Sequence, residues 1–208
     1  DPNDLVISVE SDGSSVYIGG PFLMLGAESR HNLIALDLNA GTLLPWAPQP
    51  SSGVYDLVTR NNSLFVAGGF DTIAGISRSY LAEFIMDTGL LTDWNPDPSN
   101  TIFCIDADDS VIYAGGGFSS IGGADRNRIA AIDLETGLAT DWNPDADSFV
   151  RRILADAGRV FAGGEFTPIG GADRNRIAAL DSSSGLATAW DPDADRTVHP
   201  LVFDSATV

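Results

Sequence analysis

Two acidic connectors late in the chain carry the spacing that most resembles a binding site. Asn143-Pro144-Asp145-Ala146-Asp147 and Asp191-Pro192-Asp193-Ala194-Asp195 place oxygen-bearing side chains at alternate positions, the arrangement with which a loop wraps Ca²⁺. Asp145, Asp147, Asp191, Asp193 and Asp195 are therefore the candidate calcium ligands. The pattern lacks the Gly and the distal bidentate Glu of an EF-hand loop, and its earlier counterparts read Ala47-Pro-Gln-Pro-Ser and Asn95-Pro-Asp-Pro-Ser. A Pro-stiffened, solvated turn accounts for the same residues.

A second set is Arg30, Arg78, Arg126 and Arg174. A guanidinium is a planar fork of donors that suits carboxylates or strand-end carbonyls. The expected role is to tie a loop to its sheet; the alternative is a ring of four Arg reading an anionic ligand. Asp37, Asp133 and Asp181, each seven residues after an Arg, are the expected partners, although Ile85 stands there in one case. No catalytic constellation assembles. His31 and His199 lack metal-ligand spacing, and the "GGGF" and "GGAD" clusters follow no strand–helix pattern that would cradle phosphate. Cys104 is alone in an apolar stretch, so it reads as a buried small hydrophobe. Asn61-Asn62-Ser63 is formally a glycosylation acceptor at a hairpin tip, with meaning only in a eukaryotic secretory context.

The elements that must position these residues are set by a repeat. Trp46, Trp94, Trp142 and Trp190 are spaced at 48 residues (94 − 46 = 48), as are Phe22, Phe70, Phe118 and Phe166. Gly41, Gly89, Gly137 and Gly185 keep the same step, and so do Pro48, Pro96, Pro144 and Pro192. One supersecondary unit is copied along the chain, with copies at about 1–48, 49–96, 97–144 and 145–192 and a partial fifth at 193–208.

Each copy reads as four short segments rich in β-branched, aromatic and small residues, separated by Gly, Asp, Asn and Ser turns. In "RIAAID" both faces are apolar: Ile129 and Ala131 point one way, Ala130 and Ile132 the other. Such a strand belongs to a sheet covered on both sides. The predicted fold is all-β, a β-propeller of four-stranded antiparallel blades, with 1–208 forming a single propeller domain or a fragment of one. Phase adds a detail, because 193–208 aligns with 1–16. The first strand occurs five times and the others four, so the chain is read as cut mid-blade, with open edges at Leu5–Glu10 and Val198–Phe203. The Trp-x-Pro element is expected to end each fourth strand, with Trp packing between blades and Pro fixing the crossover.

The formal charge is −18, built from 24 Asp and 5 Glu against 11 Arg and no Lys. That field repels nucleic acid and anionic membranes, and no apolar run approaches the ~18 residues of a membrane span.

The unit "VYAGGxFxxIGGxxRNxIAALDxxTGxxTxWNPxA" resembles the tandem β-propeller repeats of large secreted or surface-anchored bacterial proteins, most of unknown function. Ile112–Asp147 and Val160–Asp195 follow it almost residue for residue. "AIDLETGLATDW", from Ala131 to Trp142, is also similar to the tryptophan-docking repeat of quinoprotein dehydrogenases, with Trp one residue late; that likeness implies a propeller and no oxidoreductase site. The resemblance is specific for fold and nearly silent on activity; a stacked ring with no catalytic constellation, strong acidity and an open repeat array is read as a non-enzymatic extracellular or cell-surface scaffold with structural, adhesive or protein-interaction roles. A glycan- or calcium-binding propeller is the alternative, followed by a quinoprotein-like or other propeller enzyme. No organic cofactor is expected, and calcium is the one ion suggested. The expected partners are other proteins, further copies of the chain, or the remainder of a longer one.

Overall fold

The computed structural model describes residues 2–198 and 201. The chain divides into two compact units, Asp1–Ile102 and Phe103–Val208, each holding two copies of the repeat. All regular structure among the described residues is β.

In the first unit, Ser8–Ser11, Ser15–Gly19 and Leu33–Asp37 form one antiparallel sheet in that order. Val54–Arg60, Ser63–Gly68, Leu81–Ile85 and Leu90–Leu91 form the next. The second unit, entered through Ile102–Ala107, repeats the scheme. That strand is followed by Val111–Gly116 and Ile129–Asp133 in one sheet, and the other holds Val150–Asp156, Arg159–Gly164 and Ile177–Asp181.

Strand three is covered on both faces, as its sequence requires: Ile129, Ala130, Ala131 and Ile132 are all buried. The four recurring Phe are fully buried too. Each unit has its own core between its two sheets. One is built on Leu33, Val54, Phe70 and Phe84 and the other on Ile129, Val150, Phe166 and Leu180.

Two expectations are corrected. The fourth strand forms only as Leu90–Leu91; elsewhere it shrinks to single bridges, Leu36 to Leu43, Ile132 to Ala139 and Leu180 to Ala187. The segment still makes bonds such as Thr140 N–H to Ala131 O at 2.9 Å. Just beyond it the carbonyls turn to Arg and the Trp-x-Pro element begins, where Pro offers no donor. Conversely, the stretch after each recurring Phe, which the four-segment reading leaves as a loop between the second and third strands, is a small hairpin, for example Ser120–Ile121 with Ala124–Asp125. Gly122 and Gly123 have φ of 60° and 75°, the two left-handed residues of a tight primed turn.

Glycine is also required where strand two ends. A Cβ at Gly68 or Gly164 would lie 2.3 or 2.2 Å from the carbonyl oxygen of Gly53 or Phe149. Cys104 is buried, as its apolar neighbours predict. Of the expected extra strand Val198–Phe203 only Val198 and Leu201 are described, neither in a strand, and His199 lies outside the described residues.

Candidate functional site

The recurring polar residues are committed to the backbone. Arg126 donates to Thr140 O at 2.7 Å and Asp125 O at 2.8 Å, and Arg174 to Thr188 O at 2.7 Å and Asp173 O at 2.6 Å. Arg78 is buried and donates to Thr92 O at 3.1 Å and to Trp94 O; burial lowers its pKa, opposed by Asp93. Arg30 differs, reaching Ser29 O at 3.3 Å and pairing with Glu28 at 3.0 Å. Arg78, Arg126 and Arg174 therefore tie the end of the fourth segment to the hairpin, and carbonyls at that end are their partners in place of the expected Asp133 and Asp181; Arg30 makes neither that tie nor a bond to Asp37.

Those Asp close the turn that follows strand three. Asp133 Oδ1 accepts from Thr136 N–H at 2.7 Å and Thr136 Oγ1 at 2.6 Å. Asp181 Oδ1 accepts from the backbone and hydroxyls of Ser183 and Ser184 at 2.6–3.1 Å. A carboxylate that accepts several hydrogen bonds favours its ionised form. The Ser183 hydroxyl leads in holding Asp181 down to about 2, and Asp133 is lowered mainly by Thr136.

The acidic connectors are held in the same manner. Asp145 accepts from Asn127 Nδ2 at 2.8 Å and Asp193 from Asn175 Nδ2 at 2.7 Å. Asp147 caps a hairpin through Thr167 N–H and Oγ1 at 2.8 and 2.7 Å, and Asp191 faces Arg174 at 3.5 Å; Asp195 is exposed. Asp145 and Asp193 sit at φ of 54° and 53°, which turns alternate side chains toward separate partners. Asn127, Asn143, Asp145, Asp147, Gly170 and Gly185 help to line an open cleft of about 650 Å³, yet no three His, Cys, Asp or Glu among the described residues gather around one point.

Trp46 and Trp142 are inter-copy clamps within their units. Trp46 Nε1 donates to Gly89 O at 2.9 Å, with its ring edge-on to Tyr17 and Phe84 at 5.8 and 5.2 Å. Trp142 donates to Asp181 O at 3.0 Å and meets Tyr113 at 5.2 Å. Trp94 is buried and packs on Phe65, whereas Trp190 packs on Phe161 and is 42% exposed. Trp46, Tyr17, Leu44, Phe84 and Met86 wall an apolar cavity of about 230 Å³ in the first unit. Tyr17 OH at its edge donates to Asp12 at 2.9 Å. Burial, joined by Asp12, pushes Tyr17 up to about 12. Burial alone would raise Asp12, but the donors from Ser15, Ser14 and Tyr17 outweigh it and leave the carboxyl lowered.

One cluster was missed because it departs from the repeat. In the second unit the Arg151 guanidinium carbon lies 4.3 Å from the Phe103 ring centre and 4.9 Å from that of Phe149. Its Nε and Nη2 donate to Glu165 Oε1 at 3.0 and 2.8 Å. The corresponding residues of the first unit, 96 positions earlier (151 − 55 = 96), are Ile7, Gly53, Tyr55 and Gly69. The signal lay in charged residues at two registers where the other copies carry none. The group is part-exposed and presents aromatic edges beside a carboxylate, a surface suited to a polar ligand with an apolar face.

Comparison with known proteins agrees on architecture alone. No protein-family model matches the chain, and no curated protein matches it. It is similar to the computationally designed Ika4 protein, with a TM-score of 0.60 at 14% identity over 87% of this chain and 93% of that one. It is also similar to the extracellular domain of the putative one component system BT4673 from B. thetaiotaomicron, at 0.59 and 16% over 89% of this chain. The RRP9 WD40 repeats match at 0.60 and 10% over 88%. The chain spans 22% of the second of these proteins and 47% of the third. Its β-rich fold resembles that of WD40 repeats.

Proposed function

We propose that this chain is a non-enzymatic β-propeller scaffold, a set of blades that serves a structural, adhesive or protein-interaction role in an extracellular or cell-surface protein. The observation that carries the reading is the fate of the recurring polar groups. Arg78, Arg126 and Arg174 bind strand-end carbonyls, and Asp133 and Asp181 bind turn donors. Residues that repeat are thus used to build each blade, and the surface is left for variation. The neighbour from B. thetaiotaomicron is itself described as an extracellular domain, which accords with this location. Protease shaving of intact cells that make the protein tests the reading. Release of peptides from this segment without lysis is expected; protection until lysis would overturn it.

A second reading, a glycan-binding propeller, is favoured by the Phe103–Arg151–Phe149 stack with Glu165 beside it. It expects glycan-array binding that Phe149→Ala abolishes without moving the thermal melt. Equal binding by the variant would remove that reading.

A further inference from the structure

The strand-one register of every copy carries two apolar residues three apart: Val6 and Val9, Val54 and Leu57, Ile102 and Ile105, Val150 and Ile153; Val6 itself lies two residues before the strand Ser8–Ser11. A register shift between Val54 and Asp56, and another between Val150 and Arg152, explains why residues three apart share a face. A bulge inserts one residue and restores the phase. In three copies both side chains are buried, at 0–8% exposure, while Val6 is 45% and Val9 58% exposed.

Within each unit the cover over these residues is a glycine of the preceding copy. A Cβ on Gly19 would lie 2.5 Å from Val54 and 3.5 Å from Leu57; on Gly115 it would lie 2.8 Å from Val150 and 3.0 Å from Ile153. Gly163, the same residue of the fourth copy, has Val198 at 3.4 Å. Val198 stands at the register of Val6, four periods on (198 − 6 = 192). The Gly163 niche therefore takes a valine of the first-strand register, and Val6, at the same register, is covered by no glycine among the described residues.

The two candidates for that niche are chemically unequal. Pro200 occupies the register of Ser8, Asp56, Cys104 and Arg152, and proline brings no N–H to a ladder. Ser8 pairs with Gly19 in its sheet, and residues 6–11 contain no proline.

We propose that the Val6/Val9 face docks on the fourth copy of a second chain, with Val6 entering the Gly163 niche in place of that chain's own Val198. This rests on the scaffold reading, since it extends between chains the glycine-on-valine packing seen inside both units. The two faces differ, so the contact is head-to-tail and either closes a ring or grows by addition. It also covers an apolar patch that water otherwise meets.

Sedimentation velocity of the full chain over a wide concentration range tests the proposal. The mass is expected to rise above that of one chain. Val9→Asp, at an exposed position, should remove the rise while the thermal melt of the monomer stays in place. Val198→Asp should strengthen association by freeing the niche. A single-chain mass at every concentration for both wild type and Val198→Asp would overturn it, as would a rise that Val9→Asp leaves intact. A monomeric chain that protease still sheds from intact cells would sink the docking proposal and leave the scaffold reading standing.

Discussion

The two units are built to one plan and differ where the plan is not needed. In both, a carboxylate of the first strand accepts an N–H from the next copy's first strand: Glu10 from Thr59 at 3.1 Å, Asp106 from Ala155 at 2.7 Å. In both, an Asp holds a Tyr hydroxyl at 2.9 Å, Asp12 with Tyr17 and Asp108 with Tyr113, and a Trp reaches a carbonyl of the following copy. The carboxylate ties recur after 96 residues (108 − 12 = 96), while the Trp donor keeps that step and its carbonyl partner shifts from Gly89 to Asp181. The units part company at Ile7, Gly53, Tyr55 and Gly69 against Phe103, Phe149, Arg151 and Glu165. Sameness marks construction, and difference marks the surface on which a ligand or partner would be read.

The comparison can be broken most forcefully at glycine. Gly164→Val should cost about 3 kcal/mol or more in urea unfolding, because its Cβ meets a backbone carbonyl that cannot move aside. Gly123→Ala meets open space but keeps a φ of 75°, so it should cost only about 1–2 kcal/mol. Next come the clamps. Trp142→Ala, buried and hydrogen-bonded, should lose about 3–5 kcal/mol, and exposed Trp190→Ala less than half as much. Equal losses would mean that Trp is not a clamp between copies.

The smallest effect is in acid. The folded pKa values of Asp12, Asp108, Asp133 and Asp181 are all lowered. Such groups stabilise the fold above their unfolded value near ~3.9, and that stability is lost as pH falls through the folded value. For Asp181 the loss runs down to about 2. Asp181→Asn should therefore flatten the decline of the melting temperature in that window by lowering the plateau above it, with wild type and variant converging as pH falls to about 2. Tyr17 works at the other end: its pKa is raised to about 12, so its contribution holds below ~10 and is lost as pH rises through the folded value.

Much of this was legible. The period located the copies, the buried Phe and the Trp clamps, and apolar residues on both faces of "RIAAID" foretold a covered strand. Three things were misread for physical reasons. The "IGGAD" stretch looked like a loop, though two glycines flanked by Ile and Ala are the signature of a primed hairpin turn. Asp133 and Asp181 looked like Arg partners, though Thr136, Ser183 and Ser184 two or three residues on mark an Asx turn. Arg151 and Glu165 went unnoticed because a repeat is read from its matches, and these two are departures.

The central claim is that the recurring residues hold the scaffold and do not read a ligand, and Arg126 tests it most directly. Arg126→Gln should lower the unfolding free energy by about 1.5–3 kcal/mol. Its carbonyl partners Thr140 and Asp125 are neutral backbone groups, so the gap from wild type should persist from low to high salt. Phosphate should raise the melting temperature of neither protein. An unchanged unfolding free energy, with a phosphate-induced rise in wild type that the variant loses, would contradict the account and make this Arg a ligand-reading group.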